Sequence, residues 1–556
     1  MPAKKGHILI VDDLQKWREE LVKTLENNGF VAHAVENGPQ ALERLQETLY
    51  HVVVLDVRLK ANNQNNMDGI KLLGQLDERG ISEVTKVLML SAYGTKEQMR
   101  TAFAKHKVVD FLSKDDFNRQ IFLESVQQVI AREMNINLEL DIHWQQISGA
   151  GQVVTGLEFG GVAVEPGTPL QNQMVEELED LLRRLFHQAK SILVRPLTPG
   201  HSGTGVVRVK PFYTTGGGGY EVVVKFGEFN RVKQEYDNFK KYVQPFLGGG
   251  HNTMILDMRR TYHLGGIIYS LLGTINDQLT DFGDFYHHAD LSQVKEALDR
   301  LFRDTCGVWY ANRGQLDALD LTEDYQKLLG YRPEKLERAV SEDLTSVQGT
   351  EELTFKSLGS KRSFTNPLRV TAERSLVHST YCCITHGDFN QRNLLVDSTG
   401  HVWMIDFQGT GQSHILRDVA TLDATIRFQL LTAEEATLKE RLKMEEALCK
   451  IERFSQLETL ATLFTTKNTF LAKTYAAVVH LRMGARRLLE LNIDDDMGQY
   501  YTALLYTAMN TIRFSSLQPV QREHALLCAS LLADRLGLNT RGSSASHVKG
   551  NGSGRA

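Results

Sequence analysis

The chain is predicted to begin with a doubly wound α/β domain, followed by a strand-rich segment and then by a mainly helical one. Three observations predict this order. Short apolar runs alternate with amphipathic helical segments up to about Arg132, strands with turn glycines dominate from Ile192 to Leu272, and helical periodicity continues to Leu538. Alternating strands and helices are typical of a parallel sheet with helices on both faces.

Five apolar runs supply the strands of the first domain. They are His7–Val11, Val31–Val35, His51–Leu55, Lys86–Leu90 and Val108–Leu112. Segments with apolar residues at helical spacing lie between them, for example 14–27 and 38–47. Runs of this length predict buried strands. In such sheets, ligand chemistry collects at the carboxyl ends of the strands.

Length and composition exclude several classes of protein. A chain of 556 residues is too long for one hydrophobic core, so two or three domains are expected. A net charge of −5 gives no field that would favour nucleic acid or a membrane surface. The five cysteines have no metal-site or disulfide spacing, and no apolar stretch approaches the ~20 residues of a spanning helix. We therefore expect a cytoplasmic protein that binds neither DNA nor membranes.

Polar residues follow four of the predicted strands. Asp12 and Asp13 end the first, Asp56 ends the third, Ser91 ends the fourth, and Lys114 follows the fifth. Any one of these residues alone would be a solvated loop side chain, but together they would form an acidic pocket that suits Mg²⁺. A carboxylate beside Mg²⁺ can attack a phosphoryl donor, while the lysine and serine would bind the phosphoryl oxygens.

The motifs ILIVDD, VVLD, MLSA and FLSK resemble those of the response-regulator receiver family over the first quarter of the chain. This resemblance implies a flavodoxin-like fold and phosphorylation of Asp56 by a cognate sensor histidine kinase. It also implies that Asp12 and Asp13 hold Mg²⁺ with Asp56, and that Ser91 and Lys114 are the switch pair.

A second set of polar residues lies in ITHGDFNQRNLLVD and HVWMIDFQ. Asp388, Asn393 and Asp406 frame two short predicted strands, LLV and VWMI, which would hold these side chains rigidly. Phosphoryl transfer needs a group that orients the acceptor hydroxyl and oxygen ligands that hold Mg²⁺ against nucleotide phosphates. Asp388 suits the first role, and Asn393 and Asp406 suit the second.

The strand-rich segment contains residues that could bind nucleotide phosphates. Lys225 lies in the apolar strand EVVVKFG, and Glu235 lies on the next helix as a natural ion-pair partner. Gly200, Gly203 and Gly205 fall between two strands, where a turn could cover phosphates. A plain hairpin turn would explain the glycines equally well, and a surface salt bridge remains an alternative for Glu235.

His386–Asp388 with Asn393, and Ile405–Phe407, are similar to motifs of aminoglycoside phosphotransferases, choline kinases and their protein-kinase-like relatives. This resemblance implies a bilobal α+β domain with a large helical C-lobe that binds ATP and Mg²⁺. Asp388 would be the catalytic base, with Asn393 and Asp406 as metal ligands and Lys225 as the nucleotide lysine. Similar bacterial domains include one described as a ternary-complex-associated domain. We call the segment that begins with His386–Asp388 the HGD loop. Asp281–Gly283 has the sequence of a kinase metal motif, but it precedes the HGD loop in the chain and is predicted to be a turn.

These inferences divide the chain into five parts. They are a receiver (1–133), a linker with a connector helix (134–190), a kinase-like N-lobe (191–275), a helical C-lobe (276–538) and a disordered tail (539–556). The expected function is a bacterial two-component regulator that controls an ATP-dependent phosphotransferase with an unknown hydroxyl acceptor.

Two alternatives to this function stay open. The second half could be a catalytically silent scaffold that binds partners under control of phosphorylation. A DNA-binding regulator ranks last, because no basic recognition helix is evident. A homodimer through the receiver is also expected, since Lys96–Ile130 covers the surface that receivers most often use.

Overall fold

The chain folds as two compact units. The first contains residues 1–237 and 254–271, and the second contains residues 238–253 and 272–556. The computed structural model describes residues 6–60, 66–92, 104–196, 203–214, 216–247, 253–270, 279–330, 332–359, 362–372, 374–489 and 495–538. The predicted tail, Gly200 and part of 96–130 lie outside these ranges. No helix within them is long and apolar enough to cross a membrane.

The first unit begins with a five-stranded parallel sheet. Its strands are β1 (His7–Val11), β2 (Val31–Val35), β3 (Val52–Leu55), β4 (Lys86–Ser91) and β5 (Asp110–Ser113). Their order is β2-β1-β3-β4-β5, with every neighbouring pair parallel. The described helices are Gln15–Glu26, Gly38–Glu47, Asp68–Glu78 and Arg119–Gln128. The predicted doubly wound sheet is confirmed.

Both faces of this sheet are buried. Alternate residues of β1 point to opposite faces, so that Ile8 and Ile10 join one apolar core and Leu9 and Val11 join the other. Phe122 of the last helix belongs to the first core. Because each face needs apolar residues, β1, β3 and β4 consist mainly of buried apolar residues, and such runs are a clear sequence signal.

A second sheet of seven strands completes the first unit. Its main path, from one edge to the other, is Met254–Arg260, Leu264–Ser270, Val222–Glu228, Gly205–Tyr213, Ser191–Pro196 and Asp141–Trp144, and Gly217–Gly218 pairs with Gly205–Tyr213. Neighbours are antiparallel except for the last pair of the path, which is parallel. The helix Phe229–Asn238 follows the third strand of the path directly and continues through Phe239–Val243 to Gln244–Leu247.

Residues 134–190, predicted to be a linker with some strand character and a connector helix, contribute to this second sheet. Asp141–Trp144 is an edge strand paired with Ser191–Pro196, and a short hairpin (Glu158–Phe159 with Val162–Ala163) follows the helix Ala150–Val154. The connector helix runs over Pro169–Leu185, where 171–189 was predicted. A four-residue edge strand gains its stability from its neighbour, so its own sequence gives a weak signal.

The second unit is mainly helical. Its α-helices are Phe282–His288, Leu291–Arg300, Gly307–Ala311, Leu321–Leu328, Pro333–Arg338, Pro367–Val370, Arg417–Ala424, Leu438–Leu448, Leu457–Leu460, Thr469–Leu489, Gly498–Ile512 and Pro519–Arg535. Its strands are Thr280–Asp281 with Leu394–Val396 and Val402–Met404, Cys382–Thr385 with Gly411–His414, Asp317–Asp320 with Val377–Thr380, and Val347–Gln348 with Glu352–Phe355 and Phe364–Thr365.

Asp281 belongs to the start of a helix rather than to the predicted turn. Its side chain accepts a hydrogen bond from the backbone N–H of Asp284 and caps the helix Phe282–His288. Aspartate is favoured at this position because it satisfies an N–H group that has no partner within the helix. Capping explains the residue without a metal.

A buried charge cluster lies among the helices of the second unit. Asp423 accepts hydrogen bonds from Arg427, Arg482 and Tyr500, at 2.5, 2.9 and 2.7 Å. Glu445 accepts from Arg427 at 2.6 Å and lies 2.8 Å from Nε2 of His524. Burial opposes the ionised form of Glu445, but Arg427 and His524 lower its pKa to about 2. Arg427 therefore compensates two carboxylates at once.

We expect Arg427→Met to destabilise the second unit by about 3–5 kcal/mol, because it leaves two buried carboxylates short of positive charge. Denaturant unfolding followed by tryptophan fluorescence measures the change. Arg338→Met is the matched control, since Arg338 is exposed and pairs only loosely with Glu342 at 3.8 Å. A loss no larger than that of the control would contradict the assignment.

Two buried histidines predict that the second unit is less stable in acid. Burial lowers the pKa of both His414 and His524 from 6.5 to about 4. Between those values the unfolded chain binds protons that the folded unit does not, so stability falls as pH falls, by about 1.4 kcal/mol per histidine and pH unit. Thermal unfolding at pH 7.5, 5.5 and 4.5 tests this. His524→Gln should remove about half of this dependence, since His414 still contributes ~1.4 kcal/mol per pH unit, and exposed His288→Gln should leave it unchanged.

Candidate functional site

The carboxyl edge of the five-stranded sheet brings together the five residues predicted from the strand ends. Nζ of Lys114 lies 2.5 Å from Oδ2 of Asp12 and 2.5 Å from Oδ2 of Asp56. Ser91 donates a hydrogen bond from Oγ to Oδ1 of Asp56 at 2.6 Å. Carboxylate oxygens of Asp12, Asp13 and Asp56 lie within 4.8 Å of one another.

The electrostatics of this edge favour a cation. Burial raises the pKa of Asp12 above 3.8, although the ammonium group of Lys114 and the N–H of Leu14 oppose the shift. Carboxylate oxygens of three residues lie within 4.8 Å of one another, and Lys114 pairs with two of these residues, Asp12 and Asp56. Three carboxylate oxygens that lie this close together fit Mg²⁺, which would reduce the repulsion between the carboxylates. Asp12, Asp13 and Asp56 are the residues that would hold it.

Lys225 and Glu235 form a buried ion pair in the second sheet of the first unit. Nζ of Lys225 lies 2.8 Å from Oε2 of Glu235, and the two residues are 4% and 1% exposed. The hydroxyl of Tyr269 also donates to Glu235. Glu235 is thus held inside the unit rather than in a surface salt bridge. Its role in nucleotide binding stays a prediction.

Gly203 and Gly205 have structural reasons to be glycine. Gly203 has a φ of +65°, and its carbonyl accepts a hydrogen bond from the N–H of Glu158 at 3.2 Å. A Cβ on Gly205 would lie 2.3 Å from the ring of Phe226. These contacts favour the simpler of the two interpretations, a strand connection shaped by packing. Phosphate binding by these glycines stays a prediction.

In the second unit, the loop His386–Asn393 is anchored by two charged residues. The fully buried carboxylate of Asp418 accepts hydrogen bonds from the N–H groups of His386 and Gly387, both at 2.8 Å. Arg417 donates to the carbonyl of Gly387 at 3.0 Å. The loop entrance is therefore fixed through its backbone.

Gly387 permits this anchoring through its backbone conformation. Its φ is +86°, a region that residues with a Cβ rarely adopt. A Cβ at this position would lie 2.3 Å from the carbonyl oxygen of Gly409 and 2.9 Å from the guanidinium of Arg417. The glycine of the HGD motif is thus required by close backbone approach.

Asp388 and Asn393 lie side by side. Nδ2 of Asn393 donates to Oδ2 of Asp388 and to its backbone carbonyl, both at 3.0 Å. Nδ2 of Asn390 donates to the same Oδ2 at 3.0 Å. Since the amide nitrogen of Asn393 faces Asp388, its Oδ1 is the atom that could bind a metal.

Asp406, the third of the predicted site residues after Asp388 and Asn393, has an unusual backbone conformation. It follows the strand Val402–Met404 with a φ of +68°, which aspartate adopts at a cost of order 1–3 kcal/mol. Desolvation and the negative charge of Asp406 raise the pKa of Asp388 above 3.8, although Asp388 keeps solvent access. Asn393 and Asp406 fit the oxygen donors that a nucleotide-bound Mg²⁺ needs.

His386 is buried beneath this loop. Its ring packs between Phe389 and Phe407, with ring centroids 4.9 and 5.4 Å away. Burial lowers the pKa of His386, so the ring is neutral and donates from Nε2 to the carbonyl of Ile405 at 3.1 Å. This bond joins the HGD loop to the residue before Asp406.

Comparison with known proteins identifies the first domain. The response regulator receiver domain family matches residues 8–127. Transcriptional regulatory protein SrrA of Staphylococcus aureus (strain NCTC 8325 / PS 47) is 31% identical over 134 residues, which are 24% of this chain and 52% of SrrA. The chain thus spans about half the length of the curated relatives it matches.

Solved structures give similar matches. A response regulator from Chloroflexus aurantiacus J-10-fl is 26% identical. The match covers 23% of this chain and 98% of that regulator, with a TM-score of 0.21. Chemotaxis protein CheY4 of Vibrio cholerae is 25% identical. The match covers 22% of this chain and 98% of CheY4, with a TM-score of 0.20.

The larger match lies beyond the receiver domain. Ternary complex associated domain 9 matches residues 189–357 and 332–513, which together make up more than half of the chain. The chain belongs to the ternary complex associated domain 9 family. It is thus a two-component response regulator in which this domain follows the receiver domain. The domain spans the residues that contain Lys225, Glu235, Asp388, Asn393 and Asp406.

Trp17 of the receiver domain is a site residue that the sequence reasoning missed. Its ring lies 5.3 Å from Nζ of Lys114 and packs edge-on against Phe117, with centroids 5.0 Å apart. An aromatic face attracts an ammonium group, so Trp17 supports the position of Lys114. An aromatic residue four positions after the acidic pair was the available signal.

We expect Asp56 to accept a phosphoryl group from acetyl phosphate when Mg²⁺ is present, because it combines a buried carboxylate with Lys114 and Ser91. Phosphate-affinity electrophoresis measures the product. Asp56→Asn should abolish labelling, whereas Asp115→Asn, an exposed carboxylate next to Lys114, should not. Equal labelling of wild type and Asp56→Asn would contradict the assignment.

Proposed function

We propose that this response regulator is phosphorylated on Asp56 by a cognate sensor histidine kinase, and that phosphorylation controls ATP-dependent phosphoryl transfer by its ternary complex associated domain. The acceptor is a hydroxyl group whose parent molecule is unknown. The single observation that carries the enzymatic part is the arrangement of Asp388, Asn393 and Asp406 at the HGD loop.

The receiver step follows from the acidic edge. An oxygen of Asp56 attacks the phosphorus of a phosphohistidine, an O–P bond forms, and the P–N bond breaks so that its electron pair returns to the imidazole. Lys114 and Ser91 already contact the two oxygens of Asp56, so they are positioned to bind the oxygens of a phosphoryl group there. Mg²⁺ bound by Asp12, Asp13 and Asp56 would neutralise the charge that develops.

The output step uses Asp388 as the base. The acceptor oxygen attacks the γ-phosphorus of ATP, its proton passes to Asp388, and ADP leaves with the electron pair of the broken O–P bond. The proposal assigns Asn393 and Asp406 to the Mg²⁺ that binds the nucleotide phosphates. It assigns Lys225, held by Glu235, to the phosphates themselves.

The proposal includes two partners. The sensor histidine kinase is expected because receiver domains generally pair with one. A second copy of the chain is expected because Ile121 of the helix Arg119–Gln128 is 54% exposed on the side of the receiver that dimers most often use. SrrA is described as a transcriptional regulatory protein, but no described part of this chain forms a basic recognition helix followed by a wing.

We expect Asp388→Asn to abolish phosphate transfer while ATP affinity stays near the wild-type value, because the base acts only in the chemical step. Asp406→Asn should weaken Mg²⁺-dependent ATP binding, since a metal ligand is lost. Calorimetry measures binding, and a coupled assay of ADP release measures turnover. Asp281→Asn is the matched control, because asparagine also caps a helix.

The outcomes separate the candidate functions. ATP binding without turnover in wild type, across a panel of hydroxyl acceptors, would favour the silent scaffold. No ATP binding in the presence of Mg²⁺ would exclude both nucleotide-dependent functions. An equal effect of Asp281→Asn and Asp406→Asn would contradict the assignment of Asp406.

A further inference from the structure

The turn between the strands Met254–Arg260 and Leu264–Ser270 contacts the receiver domain directly. The hydroxyl of Tyr262 accepts a hydrogen bond from the N–H of Tyr50 at 3.3 Å and shares one with Oγ1 of Thr85 at 2.6 Å. The ring of Tyr262 packs against the apolar core of the receiver. These contacts lie at the amino-terminal ends of β3 and β4.

Arg260, at the start of the same turn, makes a second connection. Its guanidinium lies 3.1 Å from the carboxylate of Glu83, just before β4, and 3.7 Å from the ring centroid of Phe229. Phe229 is the first residue of the helix that carries Glu235. A single side chain therefore links the receiver to this helix.

The connector helix holds the other side of the turn. The buried carboxylate of Glu177 accepts hydrogen bonds from the hydroxyl of Thr261 at 2.5 Å and from the N–H and Nδ1–H of His263 at 2.9 and 2.6 Å. The contact with Glu177 raises the pKa of His263. These bonds fix the backbone of the turn to the connector helix.

The connector helix is itself joined to the receiver through buried polar groups. Nδ1 of His51 accepts a hydrogen bond from the N–H of His7 at 2.9 Å, so a neutral His51 carries its proton on Nε2. Nε2 donates to Asp180 at 2.8 Å, and Arg184 donates to the other oxygen of Asp180 at 2.5 Å. Arg184 also reaches the carbonyl of Val84.

Close packing continues from the turn to the Lys225–Glu235 pair. The N–H of Phe229 donates to the carbonyl of His263 at 2.8 Å. A Cβ on Gly265 would lie 2.9 Å from Val232, which is in the Glu235 helix. In the sheet, Ile267 of the strand Leu264–Ser270 pairs with Lys225. Movement of the turn would therefore shift both members of the ion pair.

The same two receiver strands carry the phosphorylation residues at their other ends. Asp56 follows β3 and Ser91 ends β4, whereas His51 precedes β3 and Thr85 precedes β4. At ~3.3 Å per residue, His51 and Asp56 are about 17 Å apart along the strand. Extended strands inside a close-packed core transmit displacement well, because they cannot bend locally without opening cavities.

We propose that the turn Arg260–Leu264 carries the state of Asp56 to the Lys225–Glu235 pair, through β3, β4 and the Arg260 contacts. This route deepens the proposed function and rests on it for its purpose. The regulated property is the position of the Glu235 helix relative to Lys225, which sets the affinity for nucleotide phosphates. Phosphorylation at the carboxyl ends of the receiver strands thus acts through contacts at their amino-terminal ends.

Two variants interrupt the route while the unit stays folded. Arg260→Gln and Glu83→Gln remove the same ion pair from opposite sides, and Glu83 is an exposed residue. Arg259→Gln is the matched control, because it makes the same change one residue earlier and its ion pair is with Asp257 of its own strand. If the route runs through the pair, the double variant should behave like either single variant.

Amide hydrogen exchange of the full chain, with and without beryllofluoride and Mg²⁺, measures the transmission. Occupancy of the Asp56 site is checked by ¹⁹F NMR. In wild type and Arg259→Gln, beryllofluoride should change protection of amides 229–237 and 264–270 by about 5-fold or more, the lower end of typical coupling. In Arg260→Gln and Glu83→Gln the change should fall below about 2-fold, under the ~5-fold expected of a coupled pair.

The exchange experiment does not depend on ATP. No change in wild type with the Asp56 site occupied, or a full change in both Arg260→Gln and Glu83→Gln, would overturn the route. If the wild type does not bind ATP, the proposed enzymatic function fails, and the exchange data still decide whether the turn transmits the signal. If ATP binds, beryllofluoride should alter its affinity in wild type and leave it unaltered in Arg260→Gln.

Discussion

The arrangement of the first unit depends on the hydrogen bonds that the buried carboxylate of Glu177 accepts. It lies on the connector helix, and it receives hydrogen bonds from a turn whose ends are strands of the second sheet. The same turn contacts the receiver through Tyr262, and the same helix contacts it through Asp180. An unpaired carboxylate in this position would be costly, so the turn, the helix and the receiver are held in one arrangement.

Buried ion pairs elsewhere in the chain differ from the cluster of carboxylates at the receiver edge. In the second unit, the buried carboxylates of Asp423 and Glu445 each pair with at least one buried arginine. Lys225 and Glu235 are likewise one cation and one anion. At the receiver edge, carboxylate oxygens of Asp12, Asp13 and Asp56 lie within 4.8 Å of one another, and Lys114 pairs with Asp12 and Asp56. Carboxylate oxygens this close together favour a bound cation.

The receiver strands and the strand-end residues could be predicted, because each depends on local patterns that a parallel sheet brings to one edge. The two short strands beside the HGD loop could also be predicted, because each is a short apolar run next to polar residues. Glu177 was missed, although it lies three residues after Met174 on the apolar face of the connector helix. Its partners are more than eighty residues away, and Asp180 is likewise more than eighty residues from His51, whose Nε2 it contacts. Contacts of this kind arise only when separate elements pack together.

The docked edge of the receiver has a consequence for how this protein can evolve or be rebuilt. Receivers are usually regarded as exchangeable modules that end soon after their last helix. Here, replacing the receiver alone would remove His51, and the buried carboxylate of Asp180 would keep only Arg184 as a partner of these two. The structural module is therefore longer than the receiver: it extends through the second sheet to residue 270. Substitutions at the buried residues Tyr50, His51 and Thr85 would need matching changes in the connector helix or its turn.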